Sequence, residues 1–217
     1  LCNCTIRRID YKTGIVTRVA GCGRKGRGGD GGPALEAELD CTCGVAVDEE
    51  GNIFLSDEWA CNIRRIDAKT GIIDTWAGLN ARHYPSEQGK SRPASGSWVS
   101  LMGYHGDGGP AAEAAFYHPE HLAFDSKGNL YVCDNSNDRI RKIDRQSGVI
   151  TTVLGNGQRA SNGDGGPAPV HALREYRRDV DAEVPRWSRS PLDQVCGCLR
   201  TLPFVEPEAW QSVHNRA

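Results

Sequence analysis

Nine cysteines stand at positions 2, 4, 22, 41, 43, 61, 133, 196 and 198. Thiols bind soft metal ions or close disulfides, and Cys2/Cys4, Cys41/Cys43 and Cys196/Cys198 are each separated by a single residue. That gap is shorter than the roughly two to four intervening residues usual in structural zinc sites. Cys22 and the Cys41/Cys43 pair flank one loop, where they could pair or take a metal. Cys133 follows an apolar run and reads as a small buried filler. His118-Pro119-Glu120-His121 is the other place where ligand types gather, and His118 and His121 are the candidate metal ligands there. A mononuclear zinc site needs several convergent protein ligands, so a polar loop beside a structural proline is the plainer reading.

Charged residues recur in a pattern. Arg7-Arg8, Arg64-Arg65 and Arg141-Lys142 hold equivalent places, joined by Arg24, Lys25 and Arg27. Such a basic stripe could face RNA, yet Asp10, Asp67 and Asp144 follow the pairs and could neutralise them without a ligand. Asp30, Asp107 and Asp164 sit in Gly-Asp-Gly-Gly-Pro-Ala loops. One carboxylate per loop is too few for the oxygen shell of calcium, and the loop lacks the Lys-Ser/Thr ending of a phosphate cradle. A structural role is expected, with Asp bonding nearby backbone and Gly permitting the turn. Neither a Ser-His-Asp set nor a pair of carboxylates stands out, and no cofactor is called for.

The elements that carry these residues are repeated. The Ile-Arg-Arg-Ile-Asp run at residue 6 returns at 63 and, as Ile-Arg-Lys-Ile-Asp, at 140, spacings of 57 and 77. The Gly-Asp-Gly-Gly-Pro-Ala loop at 29 returns at 106 and 163, spacings of 77 and 57. The swap places a 20-residue insertion in the second copy of a 57-residue unit, within residues 79–105. That insertion holds Arg82, His83, Tyr84, Trp98, Tyr104 and His105, and its aromatics make Trp98 and Tyr104 candidate partner contacts. Each unit reads as four short strands rich in Val, Ile, Phe and Tyr, with Asp-to-Gly hairpin loops between them. Strands one and two (Val45–Val47 and Ile53–Leu55; Leu122–Phe124 and Leu130–Val132) are continuously apolar, which predicts cover on both faces. Strand three mixes Ile with Arg and is expected nearer solvent. Four antiparallel strands at a fixed period describe a β-propeller blade.

Gly44 to Asp48, Gly51 to Asp57, Ile63 to Asp67 and Gly71 to Gly78, with their third-copy equivalents, resemble the NHL-repeat family of β-propellers. The long variant with Gly-Asp-Gly-Gly-Pro-Ala loops is similar to arrays in bacterial, protist and teneurin-like surface proteins. The resemblance runs from residue 1 to about 168. It departs where Thr42 replaces the usual proline (Pro119 in the later copy), and where His121 replaces the usual glycine (Gly44 in the earlier one). It implies a scaffold for proteins, RNA or other ligands. A fragment of a lyase- or lactonase-like propeller enzyme with a central metal is the alternative, and RNA binding through a basic blade face a second one.

The expected fold is all-β: a partial NHL-type propeller of about two and a half four-stranded blades in an open arc, with an irregular C-terminal tail. The propeller segment is 1–173, comprising a half blade at 1–28, a blade at 40–78, the insertion at 79–105 and a blade at 117–155. The non-repeat tail is 174–217. Open blade faces expose apolar side chains, so self-association is expected beside binding of a protein partner. The 217 residues carry a formal charge of −2, which excludes a globally basic nucleic-acid binder, and no apolar run is long enough to span a membrane. The chain opens at Leu1 without a basic-then-apolar leader and reads as cut within a unit, so its compartment is not encoded in what is visible.

Overall fold

The computed structural model describes residues 3–79 and 103–158; Trp98, Asp164, most of the insertion and the tail lie outside them. Those residues form an all-β open arc of two and a half blades. The half blade is an antiparallel pair, β1 (Ile6–Ile9) and β2 (Val16–Ala20). The first full blade orders its strands β7-β6-β5-β4, from β4 (Thr42–Val47), β5 (Ile53–Asp57), β6 (Asn62–Ile66) and β7 (Ile72–Ala77). A two-residue strand, β3 (Gly32–Pro33), adds to its outer edge. The second full blade runs β11-β10-β9-β8, from β8 (Pro119–Phe124), β9 (Leu130–Asp134), β10 (Arg139–Ile143) and β11 (Ile150–Leu154). No helix among the described residues is long and apolar enough to cross a membrane.

The hairpins follow from local chemistry. Asp10, Asp67 and Asp144 each accept hydrogen bonds from the amides two and three residues on and from the hydroxyl of Thr13, Thr70 or Ser147. The glycine after each hydroxyl residue takes a φ of 68–69°. A side chain there would strain the turn.

Blades are held together by alternating faces. Phe54 and Ile63 of the first full blade join Phe116, Leu122, Leu130, Val132, Ile143 and Ile150 in one core. Leu55, Ile66 and Ile73 of that blade turn the other way, onto Cys4, Ala20, Ala34, Ala37 and Leu39. Gly44 lets the inner strands meet: a Cβ built there would lie 2.2 Å from the Glu120 carbonyl oxygen and 3.1 Å from the His121 Cα.

Two expectations about burial fail. Val45 and Val47, on the innermost strand, are 48% and 57% exposed, because no neighbouring strand covers that side among the described residues. Strand three is buried rather than near solvent in both full blades: in β6 and β10 three or more of five residues are enclosed, the arginine among them.

Candidate functional site

Strand three carries the first group of ionisable residues. In β1, β6 and β10 the register against the outer strand shifts just before the arginine, at Ile6/Arg7, Ile63/Arg64 and Ile140/Arg141. A bulge of this kind re-aims a side chain. Arg64 is thereby turned into the seam between the half blade and the first full blade, where 1% of its side chain is exposed. Its Nε and Nη2 donate to Asp30 Oδ1 at 3.1 and 2.6 Å, Nη1 donates to the Glu38 carbonyl at 2.7 Å, and Nη2 also reaches Gly28 O. Thr75, opposite Arg64 in the register, donates its hydroxyl to the other Asp30 oxygen at 2.7 Å. Burial works against the Asp30 charge, but Thr75 and the Arg64 guanidinium hold its carboxyl below the ordinary value.

The second seam repeats the arrangement. Arg141, fully enclosed, pairs with Asp107 Oδ1 at 2.7 Å and with Asp134 Oδ2 at 3.2 Å, and donates to the carbonyls of Ala115 and His105. Tyr104, a candidate partner contact from the sequence, is engaged here. Its ring lies under the Arg139 and Arg141 guanidinium groups at 3.7 and 4.9 Å, and its hydroxyl bonds Asp107 at 2.6 Å. The basic stripe is therefore not a surface feature at Arg64 or Arg141. Arg65 and Lys142, half-exposed, remain on its line, with Arg65 tied to Asp67 at 3.2 Å. Arg7 stays exposed, because the half blade has no connector against it among the described residues.

The Gly-Asp-Gly-Gly-Pro-Ala segment is thus a stitch. Asp30 and Asp107 reach an arginine 34 residues later rather than only their own backbone. Carbonyls of Ala34 and Ala37 accept the amides of Gly21 and Cys22 from the preceding sheet, while amides of Gly31 and Ala34 donate to Ile73 and Gly71 of the next. Gly78, Leu79, Gly108 and Ala111 do the same in the second seam. The signal for this was the constant interval of 34 residues from loop Asp to strand Arg; the same interval from Asp164 falls on Cys198.

Two carboxylates are buried at equivalent ends of the second strands. Asp57 accepts the Asp40 amide at 2.7 Å, and its Oδ2 has no hydrogen-bond partner among the described residues. Burial pushes its pKa up to about 7. Asp134 accepts from Tyr117 N and Asn137 Nδ2, and burial raises it to about 6 despite Arg141 beside it. Both tie the loop before an inner strand to the end of the next strand.

His118 and His121 are placed apart in role. His118 has a φ of 52°, lies tilted against Trp59 with ring centroids 4.7 Å apart and meets the Ser136 hydroxyl through Nδ1 at 3.1 Å. His121 is half-buried, with Nε2 3.9 Å from the Glu120 carboxylate. Among the described residues, the ligand-type side chains that do converge are Cys41, Cys43 and Glu58, one donor atom of each lying within 4.8 Å of the others. Burial and the Glu58 carboxylate push the Cys43 thiol pKa up. Cys22 is not in that group.

At the opposite end of the strands, a cleft of about 520 Å³ opens between the two full blades. Its floor is Phe54, Trp76 and Phe124, with Phe54 edge-on to both other rings at 4.9 and 5.1 Å. Its rim carries Asp48, Glu49, Glu50 and Asp125 against Arg65 and Arg145, and Arg145 bridges Glu49 and Glu50.

The model of the teneurin NHL domain matches residues 9–95 and 102–174. The chain belongs to the teneurin-type NHL-repeat family. This NHL chain is 43% identical to zebrafish (Danio rerio) teneurin-3 over 112 residues, 49% of the chain and 4% of that protein. It is 26% identical to NHL repeat-containing protein 2 of Bos taurus over 160 residues, 72% of the chain and 20% of that protein. The NHL chain therefore spans only a small part of these relatives. Among solved structures, a Bacteroides thetaiotaomicron protein of unknown function superposes with a TM-score of 0.56 at 20% identity, covering 80% of this chain and 36% of that one. That likeness shows the propeller fold alone.

Proposed function

We propose that this NHL chain is a non-catalytic scaffold segment that binds a protein partner in the cleft between its full blades, the partner presenting a basic side chain. The observation that carries the reading is the pairing of an aromatic floor (Phe54, Trp76, Phe124) with a rim richer in carboxylates than in cations. A cation held over aromatic faces and beside carboxylates is favourable, the more so when partly desolvated. The scaffold role rests on the NHL family membership and on the structural employment of the buried arginines and aspartates. Calorimetric titration of the full chain with a lysine- and arginine-rich hexapeptide, and with an acidic one of the same length, tests it. Binding of the basic peptide alone, weakened at least fivefold in the Glu49→Gln/Glu50→Gln variant, is the expected result. Equal heats for the two peptides, or an unaffected variant, would remove the cleft as the docking place.

A further inference from the structure

Cys41, Cys43 and Glu58 lie at the end of the blade away from that cleft, and the fold itself brings them together. Residues two apart in a regular strand project the same way but stand too far apart to share an ion easily. Here the chain departs from regularity twice. Cys41 takes a left-handed φ of 62° just before β4, and the β4–β5 register shifts between Thr42 and Gly44, leaving Cys43 as the bulged residue. Glu58 follows β5 directly across from this bulge, with Cys43 Sγ 2.9 Å from its Oε2. The result is three donor atoms within 4.8 Å of one another, with Cys43 exposed and the other two half-exposed.

The next blade shows that this corner needs no thiols in order to fold. His118, Glu120 and Asn135 stand there 77 residues on, with the same left-handed residue before the strand (φ 52°) and a register shift between Pro119 and Leu122. Asn135 donates to Glu120 at 2.6 Å in place of the Cys43–Glu58 contact. The two thiols are therefore additions to a repeated corner rather than requirements of it.

We propose that Cys41, Cys43 and Glu58 form a binding site for a thiophilic divalent cation of the zinc class. Tetrahedral zinc with sulfur at about 2.3 Å and carboxylate oxygen at about 2.0–2.2 Å needs donor separations of roughly 3.5–3.8 Å. The cluster meets that with side-chain rotation, the Cys43–Glu58 contact opening by about half an ångström. Two sulfurs and one carboxylate select a soft or borderline ion over magnesium or calcium, which prefer all-oxygen shells. Three protein donors leave a fourth position to water. On binding, each ligating thiol gives its proton to solvent and each metal–sulfur bond replaces an S–H bond, so no oxidant or reductant is involved.

The test uses the full reduced chain and cobalt(II) as the spectroscopic probe, displaced by zinc. Wild type should show thiolate-to-cobalt charge-transfer absorption and bind zinc at least tenfold more tightly than Cys41→Ser or Cys43→Ser, with Glu58→Gln several-fold weaker. Cys196→Ser/Cys198→Ser should leave that difference in place. A second measurement needs no variant: zinc should slow iodoacetamide labelling of Cys41 and Cys43 at least tenfold, mapped by mass spectrometry, and leave Cys22 unchanged. Metal binding undiminished in Cys41→Ser/Cys43→Ser, or labelling of both thiols at the same rate with and without zinc, would overturn the proposal.

Discussion

Removing the Arg141 guanidinium would take the shared cation from two carboxylates, Asp107 and the fully buried Asp134. Truncating one member of a buried ionic network costs about 3–5 kcal/mol, so Arg141→Ala should lower stability by that order in urea unfolding. Arg64→Ala should behave similarly, through Asp30. An RNA assay using either variant would report unfolding; Arg7→Glu and Arg8→Glu, on the exposed half blade, are the informative changes. The acids also set the pH response, in opposite senses. Asp57 and Asp134, raised to about 7 and about 6, keep a proton in the folded chain that the unfolded chain releases near pH 4. Their contribution to stability therefore falls as pH rises from about 4 towards 7. Asp10, Asp67 and Asp144, held below the ordinary value by Thr13, Thr70 and Ser147, contribute stability that is present above the unfolded pKa and lost as pH falls through the folded one. Asp57→Asn should flatten the decline between pH 5 and 7 measured by urea unfolding at each pH, and an unchanged slope would show that Asp57 is ionised in the folded chain throughout.

At the scale of elements, Gly44 is where a small change meets the greatest resistance, because its missing side chain is what lets β4 lie on the backbone of β8. Gly44→Ala should cost about 1–3 kcal/mol and appear as a lowered melting temperature, unlike a substitution at an open turn. His121, the equivalent residue, tolerates a side chain because no described strand packs beyond it. The strands, the hairpins and their aspartate–glycine turns were legible in the sequence, because hydrogen bonds two to four residues apart leave a local pattern. β3 was not: a Gly-Pro pair has no strand signature, and its pairing with Ile72 and Ile73 is long-range. The burial of strand three was misread for a related reason. Ile-Arg-Arg-Ile looks solvent-facing until its partners are known, and the carboxylate and carbonyls that satisfy Arg64 come from residues 28–38. Of the site, the Cys41/Cys43 pair was visible, but its spacing counted against it until the bulge at Cys43 was known.

The described residues form an arc whose half blade is left uncovered among them. Ile9, Tyr11, Ile15 and Val16 are all more than half exposed on the half blade, and among the described residues β1 pairs on one side only. An unpaired edge beside apolar side chains invites another strand. Light scattering on size-exclusion should show mass rising with concentration, and Ile9→Lys/Val16→Lys should return it to the monomer; a constant monomeric mass would count against an adhesive edge. The arc holds together because each connector is bonded to the sheet before it and clamped to the sheet after it. Hydrogen exchange of the full chain reads this most directly. The amides of Gly31, Ala34, Gly108 and Ala111 should be as protected as those of β6 and β10, and Asp107→Asn should loosen Gly108, Ala111 and β10 together. Connector amides exchanging at unprotected rates while β6 and β10 stay slow would contradict the account.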